Sequence, residues 1–308
     1  MSDSPRLQDS RYHFPLPART LLELHGPDAR SFLHRFCTND IEALDDGTGC
    51  EAFLTTVQGR TLGHVLITVE EESVILETVP QQADVILPHL DRYAFGDKVE
   101  MIDRSEQWTQ WCLCGAPWSG TLDWEPELAV GANASRACGN ASGRVTVAPF
   151  TSGGCWLLRT SVDQQADVTT WLADVGSTLL DGPTFDGLRI AAGFPMFGID
   201  FSDQNLPQEL DRNAAAISFT KGCYLGQETV ARLDALGHVN KLLKRLEFEQ
   251  PLEDIAGEVL QDEKVVGRLT SYAVGDQGGM GLAVLKRPAF EAGAQVTVDG
   301  HAAVVHDC

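Results

Sequence analysis

Six short strand-like runs fill the chain after Gly237, and turns rich in glycine and acidic residues separate them. Several short strands at this spacing are typical of a small β-barrel. The residues before Gly237 lack this pattern. We therefore predict a barrel domain over 239–308 and a distinct region over 1–238. The six runs are Leu242–Glu249, Glu258–Leu260, Lys264–Ser271, Gly281–Leu285, Gln295–Val298 and Ala303–His306.

The N-terminal part of the chain alternates between helical and strand patterns. Pro27 and Asp28 open a helix with one apolar face, which should end near Asn39. A turn around Gly59 separates two β-rich runs and predicts a hairpin. A second helical pattern runs over 83–93, where Pro88 predicts a kink or a late start. The predicted strands are Thr20–Leu24, Glu51–Val57, Thr61–Val69, Ser73–Val79 and Lys98–Asp103.

The middle of the chain gives a weaker pattern. Residues 108–148 suggest strands joined by long surface loops, and we assign no chemistry to them. Arg144–Val147 and Cys155–Arg159 predict paired strands, and an apolar face over 168–175 predicts a helix. This order of strands and helices is typical of an α+β fold. Since single domains usually hold about 100–200 residues, we expect two intertwined α+β lobes in 1–238.

The net charge of −21 restricts the partners of this chain. Proteins that bind nucleic acid or membrane surfaces need a basic face to meet phosphates, so we predict neither partner. The N-terminus lacks the apolar stretch of a secretion signal, and no apolar run approaches the roughly 20 residues of a membrane span, so we predict a cytoplasmic protein. The eight cysteines are scattered without a Cys-x-x-Cys pair. We expect reduced thiols and predict no metal site.

One segment combines a cation, glycines and a thiol. Lys221, Gly222 and Cys223 are followed by Gly226 and then by a helical pattern over 227–236. A cation and the positive end of a helix dipole both favour ionisation of a nearby thiol, which predicts a reactive cysteine. The alternative is that the glycines only allow a turn and that Cys223 is a small buried residue.

The sequence pattern around Cys223 continues in the residues on both sides of this segment. Lys221–Glu228 is similar to the signature of the YgfZ family of folate-binding proteins, relatives of the glycine-cleavage T-protein. The resemblance covers about the last third of the chain, and it implies T-protein-like folate-binding lobes before the small barrel. The other matching residues are Leu188, Arg189, Ala192–Pro195, Gly198, Asp200, Leu206–Glu209, Val266–Ser271 and Gly281–Leu285, with a looser match at Thr38–Asp40.

The resemblance also implies site residues. Glu209 would accept two hydrogen bonds from the edge of a pterin ring, although an acid in a surface loop is also an ordinary finding. Asn39 and Asp40 would support the wall of a folate cavity or only form a turn. Arg189 and Arg232 would each neutralise the glutamate tail of a folate; alternatively, Arg189 pairs with a neighbouring acid and Arg232 covers a helix face.

A carboxylate is missing where the related T-proteins have one. Those proteins carry adjacent aspartates in the strand after the glycine turn, whereas residues 60–66 of this chain contain no acid. His64 stands in that strand as a possible acid or base, but a single histidine on a strand is more often packed. The missing acid argues against ordinary aminomethyl transfer.

Together these features predict a tetrahydrofolate-binding protein that assists assembly or repair of iron-sulfur clusters in other enzymes. Cys223 would be its functional thiol, assisted by Lys221. Exchange of disulfides, transient binding of iron or a cluster, and an adduct with a one-carbon fragment stay open as its chemistry. A stable cluster normally takes four ligands, so a cluster role would be shared with a client enzyme or assembly factor. The alternatives are a folate-dependent aminomethyltransferase and a folate-binding module without catalysis.

Overall fold

A computed structural model describes residues 10–71, 73–115, 118–124, 129–152, 154–252, 257–275 and 278–308. Its strands are β1 Arg11–Pro15, β2 Thr20–His25, β3 Gly49–Thr55, β4 Thr61–Glu70, β5 Ser73–Thr78, β6 Glu100–Asp103, β7 Trp108–Gly115, β8 Asn133–Cys138, β9 Ala141–Ala148, β10 Cys155–Ser161, β11 Thr178–Leu179, β12 Lys241–Phe248, β13 Glu258–Gln261, β14 Lys264–Val274, β15 Gly279–Lys286, β16 Gln295–Val298 and β17 His301–His306.

The described residues also form seven α-helices. They are α1 Ala29–His34, α2 Ala83–Asp91, α3 Ser119–Leu122, α4 Gln165–Asp174, α5 Gly182–Ala191, α6 Asn213–Ala216 and α7 Gln227–Leu236. In the part of the chain that the structure describes, no helix has the length and apolar character needed to cross a membrane.

The first sheet has five antiparallel strands in the order β3-β4-β5-β2-β6. It contains the predicted hairpin, in which Gly59 adopts a positive φ of 74° between β3 and β4. Apolar residues of α1 and α2 pack against one face and form a core with β2–β5. Helix α1 ends at His34, earlier than predicted, because Thr38 leaves the helix direction and donates its N–H to the carbonyl of Phe53 at 2.9 Å.

Helix α2 corrects one expectation. It begins at Ala83 and continues three residues beyond Pro88, so a late start caused by Pro88 is wrong. Ile86 and Leu90 are fully buried on the face that packs against the sheet. The burial of this face stabilises the helix despite the backbone hydrogen bond that proline cannot make.

The second sheet has six strands in the order β11-β1-β7-β10-β9-β8. The predicted pairing of the strands around residues 145 and 158 is confirmed, with Val145 opposite Leu158. Much of 108–148 is regular structure instead of long loops, because β7, α3, β8 and β9 all lie there. Trp118, within this segment, is fully buried and packs against Trp171 of α4.

The C-terminal strands close into the predicted barrel, in the order β12-β15-β14-β13-β16-β17, with β12 pairing β17. Side chains such as Leu246, Val259, Leu285 and Val298 are fully buried in its interior. Strands β14 and β15 also pack against α5, so this helix joins the barrel to the rest of the protein. The boundary between 238 and 239 stays a prediction.

Candidate functional site

A cavity of about 210 Å³ lies between the two sheets, and we call it the central cavity. Strand β4, the turn that follows β9 and helix α5 contribute to its wall. Most of its lining is apolar or aromatic, and the charged lining groups are few. The aromatic and proline members of the lining are Phe14, Pro17, Pro80, Pro149, Phe150, Phe185, Phe194, Pro195 and Phe197.

Glu51, His64 and Arg212 form a buried polar group beside this apolar wall. Glu51 and His64 line the cavity, and Nε2 of His64 lies 2.8 Å from Oε1 of Glu51. Arg212 donates from Nε to the same oxygen at 2.8 Å and from its terminal nitrogen to the other oxygen. Burial alone would raise the pKa of Glu51, but hydrogen bonds and positive charge from Arg212 and His64 outweigh it and lower the pKa to about 2. Glu51 is therefore a fixed anion.

The imidazole of His64 is also held by aromatic rings. It stacks on Phe53 with ring centroids 4.7 Å apart and on Phe194 at 5.2 Å. The guanidinium of Arg212 lies over Phe194, 5.5 Å from the ring centroid. His64 is therefore an oriented ring on β4 whose Nε2 donates one hydrogen bond to the Glu51 carboxylate. The sequence suggested packing for His64, but it missed Glu51 and Arg212, which lie 161 residues apart.

The second group of candidate residues lies in a loop over 218–226, which we call the thiol loop. Cys223 is exposed there, whereas the other seven cysteines are buried or half-buried. All eight lie within the described ranges. The alternative of a small buried Cys223 is therefore wrong, because its side chain lies exposed at the surface.

The ammonium of Lys221 bonds to the backbone of the turn after α1, and its assistance to Cys223 stays a prediction. Its Nζ donates to the backbone carbonyls of His34 at 2.6 Å, Cys37 at 2.8 Å and Asn39 at 2.8 Å. These three bonds use all three N–H groups of the ammonium. The side chain is buried, and burial lowers the pKa of Lys221 although nearby acidic groups and Cys37 oppose this. The cation therefore holds the turn after α1.

The lysine also lies beside a second thiol, that of Cys37. Its Nζ lies 3.8 Å from Sγ of Cys37, which is fully buried. Burial raises the pKa of Cys37 to about 11, and the charge of Lys221 only partly offsets the effect of burial. Cys37 is consequently a neutral packed thiol, and the exposed Cys223 is the candidate for chemistry.

Gly226 fixes the exit of the thiol loop into α7. It caps the helix with a φ of 84°, and a Cβ at this position would lie 2.4 Å from the carbonyl oxygen of Thr56. Only glycine tolerates both the positive φ and this approach. The predicted helix start is confirmed, and the loop packs against the β3–β4 turn.

Asn39 and Asp40 lie beside the thiol loop. Asn39 donates from Nδ2 to the carbonyls of Glu51 at 2.8 Å and Ala215 at 3.0 Å. It thus links the turn after α1 to the strand that carries Glu51. Asp40 accepts from the N–H of Ala43 at 3.2 Å. The structure therefore brings together Asn39, Asp40, Lys221 and Cys223, four residues that the sequence assigned to two sites.

Arg189 pairs with neighbouring acids, which is one of the two roles that the sequence predicts for it. It is 2% exposed and donates to Asp186, Asp200 and Ser271 at 3.0, 2.7 and 2.9 Å. It also donates to the carbonyl of Phe194 at 2.8 Å. Four of its five N–H groups bond within the protein. Because Ser271 belongs to β14, Arg189 links α5 to the barrel. Arg189 also lines the central cavity, so neutralisation of a folate tail by this residue stays a prediction.

Glu209 and Arg232 lie elsewhere. Oε2 of Glu209 accepts from Nδ2 of Asn205 at 3.0 Å and from the N–H of Leu206 at 3.3 Å, which stabilises the turn Pro207–Leu210. Arg232 is exposed on α7. Neither residue is among the described residues that line the central cavity, so their roles as folate contacts stay predictions.

The fold has a solved counterpart. The glycine cleavage system aminomethyltransferase T from Bartonella henselae superposes with a TM-score of 0.81 over 98% of this chain and 86% of that protein. The sequence identity is 17%, so this likeness concerns the fold. It confirms the predicted T-protein-like α+β fold with its C-terminal barrel.

Curated relatives cover most of the chain, although no family model matches it. A chloroplastic protein of Arabidopsis thaliana is 28% identical over 90% of this chain and 66% of its own length. The human mitochondrial iron-sulfur cluster assembly factor IBA57 is 29% identical over 88% of this chain and 76% of its own length. The tRNA-modifying protein YgfZ of Vibrio vulnificus is 30% identical over 86% of this chain and 81% of its own length. At this identity and coverage, the chain belongs to the YgfZ family.

Proposed function

We propose that this protein binds tetrahydrofolate, or a one-carbon derivative of it, in the central cavity and assists assembly or repair of iron-sulfur clusters in other enzymes. Cys223 is its functional thiol. The relative IBA57 is named as an iron-sulfur cluster assembly factor, which supports this assignment. The observation that carries it is the exposure of Cys223, alone among eight cysteines, on a loop that is otherwise held by buried hydrogen bonds.

The central cavity fits one end of a folate. Its volume of about 210 Å³ is below the roughly 300–1,000 Å³ of pockets that enclose drug-sized ligands. It would therefore hold the bicyclic pterin and leave the tail outside. Flat rings prefer offset or edge contacts with aromatic side chains, which Phe194 and Phe150 offer at the wall.

Asp186 is better placed than Glu209 to meet the pterin edge. Asp186 lines the cavity, its side chain is 52% exposed, and Oδ1 accepts from Nε of Arg189 at 3.0 Å. A carboxylate can accept further hydrogen bonds from the amino and ring N–H groups of an aminopyrimidine. The other carboxylate in the lining, Glu51, already has both oxygens engaged.

The same geometry argues against aminomethyl transfer. No acid stands in residues 60–66, and Glu51 on the neighbouring strand is held by Arg212. A carboxylate with a pKa of about 2 is a poor proton acceptor near neutral pH. We expect no appreciable tetrahydrofolate-dependent release of ammonia from an aminomethyl-lipoyl donor. Robust release would favour the transferase alternative.

The proposed partners are proteins that carry or assemble iron-sulfur clusters. The name of the Vibrio relative refers to tRNA modification. A net charge of −21 repels the phosphates of RNA, so we propose that any connection to tRNA runs through a client enzyme. The cytoplasmic location stays a prediction.

Thermal unfolding with added ligand tests folate binding. Tetrahydrofolate at about 100 times its Kd should stabilise the protein by about 2.7 kcal/mol, and a panel of one-carbon folates identifies the preferred form. The Phe194→Ala variant should lose most of this effect because it removes a ring from the cavity wall. Phe95→Ala is the matched control, since Phe95 is fully exposed and does not line the cavity. An unchanged melting temperature with every folate, or an equal shift in the Phe194→Ala variant, would contradict the proposal.

A further inference from the structure

An arginine in the wall of the central cavity has unused hydrogen-bond donors. Arg19 lies between β1 and β2 and lines the cavity. Its Nε donates to Oε1 of Glu77 at 2.6 Å, and its two terminal nitrogens make no hydrogen bond to any residue that the structure describes. A guanidinium carries five N–H groups, so four of them remain for a ligand.

Two contacts hold the guanidinium of Arg19 in place. Glu77 is 6% exposed, and its second oxygen accepts from Nε2 of Gln110 at 2.7 Å, so this carboxylate is itself fixed. The guanidinium also lies over the ring of Phe150, 5.2 Å from the ring centroid, and Phe150 belongs to the cavity wall. A cation held in this way loses little conformational freedom when a ligand binds.

A second cavity, of about 220 Å³, adjoins the central cavity at this arginine, and we call it the side cavity. Leu16, Pro17 and Arg19 line both cavities, so these three residues lie between the two. The side cavity combines an indole ring with hydroxyl and amide groups, which suits a chain with polar ends. These aromatic and polar lining residues are Ser105, Trp108, Thr109, Gln110 and Gln165.

Arg19 differs from the other arginine of the central cavity. Arg189 also lines this cavity, but four of its five N–H groups bond within the protein. Arg19 uses one. In a chain with a net charge of −21, an anionic group of a ligand needs a local cation, and Arg19 has the larger number of unused donors.

We propose that Arg19 binds a carboxylate in the tail of the ligand whose flat ring occupies the central cavity, and that the side cavity receives this tail. The two terminal nitrogens of a guanidinium form a fork that matches the two oxygens of a carboxylate. Glu77 engages Nε and leaves that fork available. In tetrahydrofolate the carboxylate belongs to the glutamate tail, so the assignment rests on the proposed function and deepens it.

Calorimetric titration with two ligands tests the role of Arg19. Tetrahydrofolate has the tail, whereas tetrahydrobiopterin has the same reduced ring with a short uncharged side chain. We expect the parent to bind tetrahydrofolate more tightly. Arg19→Gln should weaken tetrahydrofolate about tenfold, because a charge-assisted pair is lost, and should change tetrahydrobiopterin by less than about twofold.

Two further variants complete the experiment. Arg19→Lys keeps the positive charge beside Glu77 but lacks the fork, so it should weaken tetrahydrofolate by an intermediate factor. It also serves if Arg19→Gln fails to fold. Arg30→Gln is the matched control, because Arg30 bonds to Leu44 and Asp46 and lines neither cavity. It should bind both ligands like the parent.

Two results would overturn the assignment of Arg19. One is equal affinity of the parent for tetrahydrofolate and tetrahydrobiopterin, a comparison that needs no variant. The other is a folded Arg19→Gln variant, verified by its melting temperature, that keeps full affinity for tetrahydrofolate or weakens both ligands equally. A parent that binds neither ligand would give a different result, because it would overturn the proposed folate binding and the ligand assigned to Arg19 together.

Discussion

The ammonium of Lys221 lies 2.6 Å from the backbone carbonyl oxygen of His34, a residue 187 positions earlier in the chain. This bond and its two companions to Cys37 and Asn39 place the thiol loop on the turn after α1. The cation next to Cys223 in sequence is therefore part of the support of the loop. The exposed thiol of Cys223 is thus presented by a loop whose backbone is fixed through buried hydrogen bonds.

Replacement of Lys221 by methionine should mainly reduce stability. It leaves buried carbonyls without a donor, and each such loss costs about 1–3 kcal/mol. We expect the free energy of unfolding in urea to fall by at least about 2 kcal/mol. Lys264→Met, at an exposed position in β14, should change it by less than about 0.5 kcal/mol. A Lys221→Met variant as stable as the parent but with a less reactive Cys223 would restore the role that the sequence suggested.

The free energy of unfolding should depend on pH through the carboxylate of Glu51. Its pKa in the folded protein is about 2, below the value of about 4.3 in an unfolded chain. The carboxylate therefore contributes stability above about pH 4.3, and that contribution is lost as the pH falls toward 2. The depression corresponds to about 3 kcal/mol, because one pKa unit is worth about 1.4 kcal/mol.

Urea unfolding of the parent and of Glu51→Gln, between about pH 5 and pH 2.5, isolates this effect. The variant should be less stable at pH 7, because Arg212 is left without its partner. It should also lose part of the acid dependence. Glu106→Gln, at an exposed position, should retain the slope of the parent. Equal slopes in Glu51→Gln and the parent would show that the pair with Arg212 does not hold the charge.

The sequence predicts local structure better than it predicts which charges meet. The β-rich run of β4, the turn at Gly59 and the glycine before α7 specify their elements within a few residues. The contacts of Arg212 with Glu51 and of Lys221 with His34 join residues 161 and 187 positions apart, and no local periodicity encodes them. The same limit applies to the role of Arg189. From the sequence, an arginine near a loop is equally compatible with binding a ligand and with pairing to an acid inside the protein.

Two carboxylates compete for the role of pterin ligand. Asp186→Asn should weaken tetrahydrofolate binding by about 1–3 kcal/mol, because one acceptor becomes a donor that faces the donors of the ligand. Glu209→Gln should change binding less, since Glu209 does not line the cavity and glutamine can still accept from Asn205 or Leu206. Calorimetric titration of both variants decides between them. A loss confined to Glu209→Gln would return the role to the residue that the family resemblance implied.

The thiol itself gives the most direct test of the account. Cells that lack this protein should receive the parent, Cys223→Ser or the matched control Cys308→Ser, which changes a half-buried thiol. The activity of iron-sulfur enzymes is then measured in the cells, and tetrahydrofolate binding is measured on the purified proteins. We predict that Cys223→Ser binds tetrahydrofolate like the parent and fails to restore the enzymes, whereas Cys308→Ser restores them. Full restoration by Cys223→Ser would contradict the account and leave a folate-binding module in which the exposed thiol has no function.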